Sequence, residues 1–196
     1  MIRHRTSALL AAVAVLGMGT VAAMAAEATP APAAAPAAQP QETSAVYGDW
    51  TLHCATPAPA ANAPADAPAP QKRCEIDQAI TIAQQPKPIV QLAVSAEAGD
   101  AALHFVAALP AGVWLPTAPS IRVADQDDAL PLVYKRCLLP GVCLADVALA
   151  DGTISAMQKA KVPGKLTFQM NAGKDAVLPI SFTGFGAALA ALKAQK

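Results

Sequence analysis

The sequence has no excess of charge of either sign, with 14 lysines and arginines against 14 aspartates and glutamates. It contains no polybasic segment, so charge-driven binding to nucleic acid or to an anionic membrane surface is not indicated. Beyond the N-terminal region, no stretch reaches the roughly eighteen apolar residues that a membrane-spanning helix requires. Aromatic residues are scarce at 4%. Neither net charge nor a long hydrophobic run therefore points to a partner.

The N-terminal segment has the three parts of a secretory signal peptide. Basic residues at positions 3–5 precede an apolar stretch at 7–15, and residues 23–25 read Ala-Met-Ala, a pattern that signal peptidase cleaves. We expect residues 1–25 to be removed, which leaves 12 basic against 14 acidic residues. Export to the periplasm or cell surface follows. The alternative is an uncleaved segment, which would then be the chain's contact with the membrane.

Proline and alanine are concentrated in two places, residues 26–45 and 56–71. Recurrent proline blocks helix formation and neither stretch contains core-forming residues, so both are expected to be extended or disordered. The first is interpreted as a linker, or alternatively as a low-complexity leader without a role. The second is a surface loop inside a domain that spans residues 46–192.

Apolar residues in this domain alternate with polar ones, as in half-buried strands. Trp50, Leu52 and Cys54 fall on one face of a strand, and the alternation from Cys74 continues to Ile82. Further short strands are predicted between turn signals, one of them over residues 130–135.

These strands predict a mostly β fold, an antiparallel β-sandwich, because no alternation of strands and helices indicates a parallel sheet. Two short helices are expected, one near residues 153–161 and one at the C-terminus from about Phe185. Asp151 or Thr153 is the expected N-cap of the first helix.

Four cysteines, Cys54, Cys74, Cys137 and Cys143, follow the signal segment. An even number in an exported chain indicates disulfides, with three possible pairings. We favour the local pairs Cys54–Cys74 and Cys137–Cys143, because each brackets one hairpin-like unit. Both are interpreted as structural.

Several short motifs, taken in order, resemble the invasion-associated locus B proteins. They are Tyr-Gly-Asp-Trp at 47–50, Leu-Pro-Ala-Gly-Val-Trp-Leu at 109–115, the compact Cys137–Cys143 segment, and Ile-Ser-Phe-Thr-Gly-Phe at 180–185 before an Ala/Leu helix. The likeness covers residues 46–192, and the two Pro/Ala stretches depart from it. The resemblance implies an exported β-sandwich protein of alphaproteobacteria named for a role in host-cell invasion. It implies no catalytic residues.

Catalytic, cofactor and metal sites are not indicated by the residues themselves. The Gly-x-Ser-x-Gly motif is absent, and His53 and Cys54 are consecutive in a strand and so point to opposite faces. His104 is interpreted as a solvent-facing strand residue. Asp125, Asp127 and Asp128 resemble the start of a calcium loop, but the required glycine and glutamate are missing, so a solvated turn is the better interpretation. The Cys137–Cys143 spacing differs from redox Cys-x-x-Cys motifs.

Four residues are candidate contacts: Trp50 and Trp114, and the basic pair Lys135 and Arg136. For the tryptophans the preferred interpretation is burial in the core, and for the basic pair ordinary surface charge. The predicted function is that of a non-enzymatic envelope protein that binds a protein or envelope component, without a cofactor. A structural or stress-related periplasmic component is the alternative, followed by an enzyme of unfamiliar type.

Overall fold

The structure is a computed structural model that describes residues 41–60, 64, 66–83, 85–96, 102–138, 141–171 and 173–195. The predicted signal segment and most of the first Pro/Ala stretch lie outside the described residues. The strands are β1 (Gln41–Tyr47), β2 (Trp50–Thr56), β3 (Arg73–Ile80), β4 (Val90–Ala96), β5 (Leu103–Pro110), β6 (Ser120–Arg122), β7 (Leu130–Pro131), β8 (Val133–Leu138), β9 (Val142–Ala148), β10 (Gly164–Met170) and β11 (Lys174–Ile180). The helices are α1 (Asp151–Lys159) and α2 (Phe185–Lys193).

The strands form two antiparallel sheets, as the sequence predicts. The larger has seven strands in the order β1-β2-β3-β4-β5-β9-β8, and the smaller has four in the order β11-β10-β6-β7. Strand partners in the larger sheet are mostly sequence neighbours joined as hairpins, since hairpins satisfy backbone hydrogen bonds locally. The mostly β, antiparallel sandwich is confirmed.

One face of the larger sheet, here called the inner face, forms the core. Trp50, Leu52 and Cys54 are buried there, as their alternation predicts, and a single buried cluster joins both sheets and both helices. Helix α2 packs on β1, β2 and β3. Its first residue, Phe185, is fully buried, and its ring lies edge-on to the indole of Trp50 with 5.1 Å between centroids. The C-terminal helix therefore closes the core.

Both disulfides have the predicted local pairing, Cys54–Cys74 and Cys137–Cys143. The two members of each pair are directly opposite one another on adjacent antiparallel strands. The described residues between β2 and β3, which cover most of the predicted 56–71 loop, form neither helix nor strand. The first disulfide therefore closes the base of this loop.

Several predicted boundaries differ from the structure. Strand β1 begins at Gln41, inside the expected linker, because its polar residues pair with β2 along their whole length. Strand β3 ends at Ile80, and Ile82 is exposed, because the chain turns back there and the Ile89 amide donates to the Ile80 carbonyl at 2.9 Å.

The single strand predicted over 130–135 is wrong. Its residues are divided between β7 in the smaller sheet and β8 in the larger one, with fully buried Leu132 at the crossing. The Leu132 amide donates to the Pro119 carbonyl at 2.8 Å, which satisfies the backbone where strand pairing is interrupted.

The predicted cap of the first helix is also wrong. The N-cap is Ala150, without a side-chain hydrogen bond, and the helix begins at Asp151. The Asp151 carboxylate thus lies in the first turn, where it interacts favourably with the helix dipole. Helix α2 begins at the predicted Phe185. Of the helices in the described part of the chain, none has the length and apolarity needed to cross a membrane.

Candidate functional site

Two of the sequence motifs meet in the structure. The Gly48-Asp49 turn between β1 and β2 lies against residues 181–184, which connect β11 to α2. The Asp49 amide donates to the Thr183 carbonyl at 3.1 Å, and the Ser181 hydroxyl donates to the Asp49 carboxylate at 2.5 Å. Gly184 has a φ of +84°, and a Cβ on it would overlap the Tyr47 carbonyl. Glycine is therefore required at this contact.

Gln78, on the inner face of β3, completes the contact. Its side chain donates to the Ser181 carbonyl at 3.1 Å and accepts from the Ser181 amide at 3.0 Å. The Trp50 indole N–H donates to the same carbonyl at 2.8 Å. These bonds satisfy buried polar groups where the chain enters α2. The motif residues at 47–50 and 180–185 thus hold the fold together.

The opposite face of the larger sheet, here called the outer face, carries ionisable residues in two groups. In one group, His53 Nε2 lies 3.2 Å from Asp77 Oδ1, and Asp77 is buried. That oxygen has no hydrogen-bond partner among the described residues, so its contact with His53 is electrostatic and strengthens when the imidazole is protonated. Glu75 is next along β3, and burial, followed by the nearby Asp77 carboxylate, raises the pKa of Glu75, while His53 opposes the shift.

The second group lies on β5, β8 and β9. Asp146 is buried, and its carboxylate is 3.1 Å from Lys135 Nζ and 3.3 Å from His104 Nδ1. His104 lies on the outer face, but its side chain is only 13% exposed, so the solvent-facing interpretation is wrong. Tyr134 lies on β8, the strand paired with β9, opposite Ala145, and burial raises the pKa of Tyr134. A buried carboxylate with two basic neighbours is the arrangement expected of a structural ion pair.

An open cleft of about 850 Å³ lies at the end of the larger sheet where the Cys54–Cys74 disulfide, the first residues of β3 and the end of α2 come together. His53 and Glu75 line it from the outer face, and Arg136 reaches it from β8. The remaining lining residues are Ala55, Gln71, Lys72, Arg73, Cys74, Ser95, Ala96, Leu103, Leu192, Lys193 and Gln195. A smaller cavity of about 350 Å³ shares Leu103 and Lys193 with it. This cleft is the candidate binding site.

The predicted contact residues separate into different environments. Trp50 is fully buried in the core, as preferred from the sequence. For Trp114 the preference for burial is wrong, because its side chain is 41% exposed beside the bridge between Val113 and Met170. Lys135 is held by Asp146, whereas Arg136 lines the cleft. The register shift between Tyr134 and Arg136 is a β-bulge, which allows consecutive residues to serve the same face.

Most of the cleft could not be predicted from the sequence. Lys72 and Arg73 were visible as a basic pair before Cys74, but their neighbour Lys193 is more than a hundred residues away in the chain. Lys72 Nζ donates to Gln195 Oε1 at 2.6 Å, which ties the segment before β3 to the end of α2. Within the described residues, no His, Cys, Asp and Glu side chains form a group of three that could hold a metal ion. The Ala124 amide donates to the Asp127 carboxylate at 3.0 Å, as in a turn.

The fold and the paired cysteines define a disulfide-bonded antiparallel β-sandwich with an open cleft at one end of its larger sheet. The family model described as "Invasion associated locus B (IalB) protein" matches residues 50–193, well over half of the chain. The chain therefore belongs to the invasion-associated locus B family, as its motifs indicated.

The chain is also similar to a solved structure, the crystal structure of invasion associated protein B from Bartonella henselae. The TM-score is 0.60 at 18% sequence identity, and the alignment covers 78% of this chain and 96% of the Bartonella chain. At this identity the likeness shows a shared fold. No curated protein matches the chain.

Proposed function

We propose that this chain is an exported protein of the periplasm or cell surface that acts by binding a protein or another envelope component, without catalysis. The observation that carries the binding role is the open cleft, which polar residues from β2, β3, β8 and α2 line together. Such a cleft offers a partner several hydrogen-bonding and charged groups on a rigid frame. Family membership is consistent with this role, because the family is named for invasion.

Export is supported by the cysteines and by the N-terminal sequence. All four cysteines are paired, and disulfides persist in oxidising compartments. The N-terminal residues follow the pattern of a signal peptide. We expect N-terminal sequencing of the accumulated protein to begin at residue 26 or 27, and spheroplast formation to release the protein or expose it to added protease. A start at Met1 in the cytoplasmic fraction would contradict export.

Binding at the cleft can be tested in intact cells. A photo-crosslinking amino acid replaces Gln71, which lines the cleft, and in a matched control replaces Lys161, which is exposed and outside it. We expect a discrete crosslinked partner from position 71 and none from position 161. Equal labelling at both positions would contradict a binding role for the cleft. Adducts at multiples of the chain's own mass would support the structural alternative instead.

A further inference from the structure

The cleft concentrates positive charge in a chain that is neutral as a whole. Of the lining residues that the structure describes, four are cationic, Lys72, Arg73, Arg136 and Lys193, and Glu75 is the one carboxylate. They come from the start of β3, from β8 and from the last residue of α2, so it is the fold that gathers them. The result is a local positive potential that the sequence's net charge conceals.

These charges are not neutralised within the described part of the chain. Besides His53 and His104, the basic residues in ion pairs there are Lys135 and Lys165, and none of the four cleft cations lies within ion-pair distance of a described carboxylate. Lys72 donates to the neutral amide of Gln195, so no described carboxylate compensates the charge of Lys72. Arg73 and Arg136 are both exposed, so their guanidinium groups can reach a ligand. Like charges held near one another repel, and an anion bound among them relieves that repulsion.

The other lining residues narrow the class of anion. Among the described lining residues there is no phenylalanine, tyrosine or tryptophan, so the cleft lacks the large stacking surfaces that nucleic-acid bases and many sugar rings use. The amides of Gln71 and Gln195 can hydrogen-bond a peptide backbone, and Leu103 and Leu192 offer contacts to aliphatic side chains. Arginine pairs with carboxylates through two parallel N–H groups.

We propose that the cleft binds an acidic peptide segment of a protein partner, with Arg73 and Arg136 pairing its carboxylates and Lys72 and Lys193 supplying further positive charge. This inference rests on the proposed binding function and names the chemistry of the partner. Glu75 opposes the ligand, because its carboxylate lines the same cleft and repels an anion. Removing that carboxylate therefore strengthens binding, whereas removing the arginines weakens it.

The test measures fluorescence anisotropy of a labelled peptide of alternating glutamate and alanine, titrated at low ionic strength with the protein as purified from the expressing bacterium. We expect the double variant R73Q/R136Q to bind roughly tenfold more weakly, the loss typical of two exposed charge pairs. The matched control K159Q/K161Q removes the same charge from exposed positions outside the cleft and should leave the affinity within about twofold. E75Q should bind several-fold more tightly.

Three outcomes would overturn the inference. One is equal weakening by both double variants, which would reflect net charge alone. Another is tighter binding of an oligogalacturonate of equal charge that depends on the same arginines, which would assign the cleft to an acidic polysaccharide. The last is no peptide binding by a folded protein whose position 71 still captures a partner in cells. That result would leave the proposed binding function standing and refute the acidic peptide.

Discussion

Replacing Gly184 by alanine tests the contact between the β1–β2 turn and the segment that leads into α2. Gly184 has a φ of +84°, and a Cβ there would overlap the carbonyl group of Tyr47. The left-handed conformation alone costs alanine about 1 kcal/mol. Relief of the overlap must move the turn, which breaks the three hydrogen bonds of Asp49 to Thr183, Ser181 and Gln78. At about 1 kcal/mol each, the expected total loss is about 4 kcal/mol.

Gly173 provides the matched control. It has a similar φ of +88°, but a Cβ there would meet nothing within 4 Å, so Gly173→Ala should cost only the conformational strain, about 1 kcal/mol. Gly48→Ala should fall between the two, because its Cβ would lie 2.7 Å from the Thr183 carbonyl oxygen.

Urea unfolding followed by tryptophan fluorescence and circular dichroism measures the free energy of unfolding of all three variants. In thermal unfolding, Gly184→Ala should lower the melting temperature by roughly 10 °C. If Gly184→Ala and Gly173→Ala lost equal stability, the close approach would be refuted. Failure of Gly184→Ala to accumulate while Gly173→Ala folds would agree with it, and Gly48→Ala would then supply the measured intermediate value.

Three further predictions concern named side chains. Serine at both Cys54 and Cys74 should lower the free energy of unfolding by about 3 kcal/mol, because it frees a loop with a sequence separation of 20; unchanged stability of this variant, measured by urea unfolding without reductant, would contradict that role. Gln78→Ala should cost about 3 kcal/mol, since it removes three hydrogen bonds of about 1 kcal/mol each, to the Ser181 amide, the Ser181 carbonyl and the Asp49 carbonyl, whereas the exposed Gln91→Ala on β4 should have little effect. The raised pKa of Glu75 means that the folded state favours the protonated carboxyl. The stability that Glu75 contributes is therefore present below the ordinary pKa of 4.5 and is lost as pH rises through the raised pKa. Glu75→Gln should therefore be more stable than the natural protein at neutral pH but not below pH 4.5. Urea unfolding of both proteins at the two pH values measures this, and an equal difference in stability at both would contradict the role of burial.

Local patterns in the sequence were sufficient to predict the architecture of the fold. Alternation with a period of two residues shows which side chains of a strand are buried. Trp50, Leu52 and Cys54 could therefore be placed in the core without knowing their neighbours. Cysteines that bracket one hairpin are brought together by that hairpin, which made the local disulfide pairing predictable. The family followed from short motifs in order, two of which form the contact at Gly184.

The polar sites depended on tertiary structure. Periodicity says that a residue lies on the outer face, but only strand order and register say which charges meet there, so the burial of Asp146 between Lys135 and His104 was not visible. Strand β1 begins early because pairing with β2 stabilises polar residues that have no strand pattern of their own. The cleft combines Lys72 and Arg73 with residues from β8 and the last turn of α2, which packing alone brings together. Short-range chemistry therefore determined the frame, while the long-range pairing of its strands decided where charge accumulates.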